Sequence, residues 1–78
     1  MKTKYKFISF EKADFAEVPK GKPVWNLRNN RSEGLLGKIF WYSVWGQYCF
    51  YPEFDTIFND TCLADIQHFI GQLKEGKP

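Results

Sequence analysis

Histidine occurs once in these 78 residues, at position 68, and cysteine twice, at 49 and 62. A catalytic triad needs a nucleophile, a base and an orienting group, and no serine or cysteine stands in a recognisable relation to His68. The chain therefore reads as no enzyme. Two cysteines do not make a disulfide framework, and neither has ligand neighbours at zinc-finger spacing. They are expected as free thiols, with a bridge between them as the other arrangement. Glycine-rich phosphate loops are missing: Gly34-Leu-Leu-Gly37 fits neither the P-loop nor the dinucleotide fingerprint. The carboxylates of Glu53 and Asp55 lack the remaining ligands of a calcium loop. No cofactor or metal site is expected. Long apolar runs are absent too, and no signal-peptide core follows the basic start Met1–Lys6. The expected location is the cytoplasm.

Aromatic residues are what the chain does have, at 19% of its length, within a hydrophobic content of 44%. That composition excludes a disordered chain. The length suits one domain over residues 1–78. Apolar burial at roughly 25 cal/mol per Å² lets large rings stabilise so small a core. Charge is uneven. Residues 1–38 hold nine Lys/Arg and four Asp/Glu, whereas residues 39–78 hold two and five. A basic amino-terminal half suits an anionic partner, or it simply solvates an aromatic surface.

The densest aromatic stretch, Leu35 to Pro52, predicts a hairpin. A turn centred on Val44-Trp45 pairs Ser43 with Gly46, Trp41 with Tyr48 and Ile39 with Phe50. Period-two alternation then puts Gly37, Ile39, Trp41, Tyr48 and Phe50 on one face. Lys38, Phe40, Tyr42, Gln47, Cys49 and Tyr51 fall on the other. The purer hydrophobic set is assigned to the core. Gly46 can supply the positive φ of a longer turn.

Elsewhere, Lys4 to Glu11 predicts a first strand whose alternation changes phase, as at a bulge or where both sides are buried. Residues 12–23 form a connection broken by Pro19, Gly21 and Pro23, with Phe15 as its anchor and one helical turn at most over 14–18. A second strand covers Val24–Asn29, followed by a turn-rich loop, Asn30–Gly34. The hairpin strands are expected at 35–43 and 46–52, with Pro52 ending the ladder. A helix is expected over 60–74. Asn59 caps it, Asp60 suits its dipole, and Phe58 and Leu63 stand at staple positions. Its apolar stripe is Cys62, Leu63, Ile66, Phe69, Ile70 and Leu73. The fold class is thus α+β: a three- to four-stranded antiparallel meander packed on one carboxy-terminal helix.

One helix covers one side of such a sheet. The other side, with the hairpin tip and the adjacent loop, presents Asn26, Arg28, Arg31, Lys38, Phe40, Tyr42, Trp45, Gln47 and Tyr51. The cations can neutralise phosphates, Asn26 and Gln47 can read base edges, and the rings can stack on bases. Trp45 at the turn tip is a candidate wedge. Aromatics with arginine also mark protein hot spots. The expected function is therefore a small binding module. Its partner is nucleic acid, or alternatively a protein or a second copy of the chain meeting the same aromatic face.

The segments VWNLRNNRSEG and LLGKIFWY, followed by the amphipathic helix after NDTCL, resemble in their order the small DNA-binding domains of plant ethylene-response factors and of phage-type integrase amino-terminal arms. That resemblance, over Val24–Leu73, implies a sheet entering the major groove, with Arg28, Lys38 and Tyr42 at contact positions. The chain also resembles short uncharacterised proteins of bacteria and their phages. It shares their W-x-x-R-N (Trp25–Asn29), L-G-x-I-x-W-Y (Leu36–Tyr42) and C-L-x-D-I (Cys62–Ile66) patterns. That second likeness brings no function with it. The protein-binding alternative is an adaptor or inhibitor of the kind that phages and mobile elements carry.

Overall fold

The computed structural model describes residues 1–13 and 22–76. Four strands run in chain order across one antiparallel sheet: β1 (Ile8–Lys12), β2 (Trp25–Asn29), β3 (Leu35–Tyr42) and β4 (Gln47–Pro52). Helix α1 (Asp60–Lys74) follows. The architecture is the expected α+β meander with one carboxy-terminal helix. Phe15, Pro19, Gly21 and the single helical turn expected over 14–18 lie outside the described residues.

The β3–β4 hairpin has the predicted register, with Ile39 opposite Phe50, Trp41 opposite Tyr48 and Tyr42 opposite Gln47. Its turn closes through Trp45 and Gly46 N–H groups donating to Tyr42 O at 3.1 and 2.9 Å, and Gly46 takes φ +64°. Only a residue without a Cβ enters that region freely.

The first strand is a correction. Lys4–Glu11 is not continuous: the chain reverses at Lys6–Phe7, and Lys4 pairs back onto Ser9. The change of phase in the sequence marks this reversal, not a bulge. The irregularity lies instead between β2 and β3, where Leu27 faces Gly37 but Arg28 faces Leu35. The extra residue, Leu36, packs against the core. Asn30 ties the reversal down, its Nδ2 donating to Tyr5 O at 2.8 Å and its N–H to Phe7 O at 2.9 Å.

The core lies between the sheet and α1. Ile8, Phe10, Trp25, Leu27 and Ile39 meet Cys62, Ile66, Phe69 and Leu73, which recur at helical spacing. Phe69 stacks flat on Phe10 at 4.0 Å and meets Trp25 edge-on at 5.0 Å. The Trp25 indole N–H is buried without a hydrogen-bond partner. Leu63 does not join the stripe; it is 52% exposed. Phe58 turns to Phe50 instead, edge-on at 5.2 Å. The Asn59 cap forms as expected, Oδ1 accepting the Cys62 N–H at 2.8 Å. Gly76, at φ +77°, ends the helix.

Candidate partner-binding face

Strand alternation sends Ser9, Glu11, Asn26, Arg28, Lys38, Phe40, Tyr42, Gln47, Cys49 and Tyr51 to the side of the sheet away from α1. Cross-strand pairing sets them in rows. Glu11 faces Asn26, Asn26 faces Lys38, and Lys38 faces Tyr51. The face divides into a polar half over β1–β2 and an aromatic half over β3–β4, with Lys38 at the boundary.

In the aromatic half, Phe40 and Tyr51 stack at 3.8 Å with an 11° tilt. Tyr42 meets Tyr51 edge-on at 6.3 Å and Trp45 edge-on at 5.2 Å. Cys49 lies opposite Phe40, and its thiol is free. Tyr42, Trp45, Cys49, Phe50 and Tyr51 line an open groove of about 290 Å³. Trp45 stands at its rim, 67% exposed, beside Val44 at 74%. Partial desolvation raises the Tyr51 phenol above its ordinary pKa, with Cys49 and Tyr42 adding to the effect.

The polar half is built around Arg28. Its Nε donates to Glu11 Oε2 at 2.9 Å and its Nη1 to Glu33 O at 3.2 Å. Ser9, Glu11, Arg28, Asn29, Asn30 and Glu33 line a second hollow of about 440 Å³. Ser9 Oγ donates to Asn30 Oδ1. Arg31 projects from the β2–β3 turn, whose N–H groups at Arg31 and Ser32 donate to Asn29 Oδ1 at 2.7 and 3.2 Å. No carboxylate pairs with Arg31 or Lys38 among the described residues.

The expected site residues therefore share one face, apart from Arg31 in its loop and Trp45 at the hairpin tip. Sequence reasoning missed Ser9 and Glu11. Their alternation with Ile8 and Phe10 carries the signal, but it is unreadable until the strand is known to begin at Ile8. Glu11 matters most, because its carboxylate occupies Arg28, the cation at the middle of the polar half.

His68 lies outside this face. Its Nδ1 shares a 2.8 Å hydrogen bond with the Tyr5 hydroxyl. Gln72 Oε1 accepts the Lys2 N–H at 2.8 Å, and Gln72 Nε2 donates to Lys2 O at 2.8 Å. The histidine thus clasps the amino-terminal segment to α1. Among the described residues, no three His, Cys, Asp or Glu side chains gather as metal ligands, and no helix is long and apolar enough to cross a membrane. No family model, curated protein or solved structure matches this chain.

Proposed function

We propose that the chain is a non-enzymatic binding module whose helix-free face docks a protein partner through Phe40, Tyr42, Trp45 and Tyr51. The observation that carries this reading is the ring-walled groove with an exposed tryptophan at its rim. Aromatic anchors beside a small hollow, edged by polar groups, have the composition of an interface hot spot. Nucleic acid is the weaker alternative. A phosphate reader needs free cations, and Arg28 is held by Glu11. Phe40 and Tyr51 already stack on each other, which leaves fewer ring faces for bases.

Titration with a random-sequence duplex and a single strand at two ionic strengths separates the readings. The proposal expects no saturable, salt-sensitive binding. Affinity that falls steeply with salt, and is lost in the double variant Arg28→Ala, Lys38→Ala, would overturn it. A captured protein counts as the partner only if Tyr42→Ala and Trp45→Ala each release it while the Arg28, Lys38 variant retains it in high salt.

A further inference from the structure

The two edges of the sheet are treated differently. The outer edge of β1 is covered by the amino-terminal segment: Tyr5 N–H donates to Ile8 O at 2.9 Å and Phe10 N–H to Thr3 O at 2.8 Å. Along the outer edge of β4 no backbone segment pairs among the described residues. Folded sheets blunt a bare edge with lysine, a bulge or a covering strand. The sequence of β4, QYCFYP, has no charged residue, and its pairing with β3 runs without a register shift. Proline comes only at its end.

We infer that β4 pairs antiparallel with β4 of a second copy, about a two-fold axis at Cys49. Self-pairing sets a strand against its own side chains, so a charged residue near the axis would meet its like; β4 has none to repel. An axis at Cys49 confines the ladder to residues 47–51 and keeps Pro52, which has no N–H, outside it. Tyr48 then faces Phe50 of the partner subunit on the helix side, an aromatic cross-strand pair. Gln47 faces Tyr51 of the partner subunit on the free side. The four strands of each copy become one continuous sheet. This pairing uses the edge, not the helix-free face, and does not rest on the function proposed above.

Opposed residues in an antiparallel ladder lie about 4.5–5.5 Å apart at Cα, within the span a disulfide bridges. The test is sedimentation equilibrium of the reduced chain over a concentration series, joined to copper–phenanthroline oxidation. The expected result is a mass rising from one chain to two, and a disulfide-linked dimer on oxidation. Cys49→Ala should lose the cross-link and keep the mass. Cys49→Lys, on the open face, should return a monomer with an unchanged circular dichroism spectrum. Trp45→Ala should leave the dimer intact. A monomer at every soluble concentration overturns the inference. So does a dimer that neither cross-links nor responds to Cys49→Lys, since its interface must lie elsewhere.

Discussion

Gly37 has the least room for a side chain of the described glycines. A Cβ built there would sit 2.7 Å from Tyr51 O and 2.6 Å from the Phe50 ring. A backbone carbonyl in a ladder cannot step aside, so Gly37→Ala should cost about 1–3 kcal/mol, as overpacking does. The urea midpoint should fall with little change in slope. Asp55 is the reverse case. It holds φ +65° without being glycine, and Asp55→Gly should leave the urea midpoint level or raise it. At Arg28, Glu11→Gln removes the paired carboxylate, and the variant should elute later than the wild type from a heparin column. The sequence puts Arg28 on the open face but is silent on its Glu11 partner and on the backbone of Asp55, and it announces Gly37 through its place among inward-facing residues. It cannot show that Phe50 lies directly over it.

The elements were legible to different depths, for physical reasons. Helix and hairpin carry their own signals: a capping asparagine, a stripe at helical spacing, strict alternation and a glycine at the turn. The cap can be tested directly. Asn59→Ala should cost about 1 kcal/mol and lower Tm by roughly 4–8 °C. The amino-terminal segment was misread because its fold depends on distant groups. Asn30 secures the reversal, while His68 and Gln72 hold Tyr5 and Lys2. None of these contacts leaves a local pattern. The bulge was misplaced for the same reason, since Leu36 is drawn inward by the core. The clasp has a pH signature. Burial, then Asp65, raises the Tyr5 pKa above 10.0. The folded chain therefore holds that proton more tightly than the unfolded one. The contribution of this phenol to stability is level below about pH 10 and declines as pH rises through and beyond it. In Tyr5→Phe the alkaline decline of the urea midpoint should be shallower.

At the scale of the whole molecule, each strand lies beside its neighbours in sequence. Among the described residues, the amino-terminal clasp and α1 join parts of the chain far apart in sequence. The candidate face was legible because a meander with one helix must leave a side open. Its division into polar and aromatic halves was not, because that depends on β1 joining the edge at Ile8. The loop after β4 adds another exposed feature: Phe54 and Ile57 stand 96% and 92% exposed between the carboxylates of Glu53 and Asp55 and the start of α1.

The chain order of the elements also matters during synthesis. A ribosome makes chain at about 5–20 residues per second from the amino terminus, so all four strands emerge before the helix that roofs them. Until Phe69 and Leu73 clear the exit tunnel, the Phe10, Trp25 and Ile39 side of the nascent sheet has no cover. A message truncated within α1 would release a chain whose greasy surface invites chaperones or proteases.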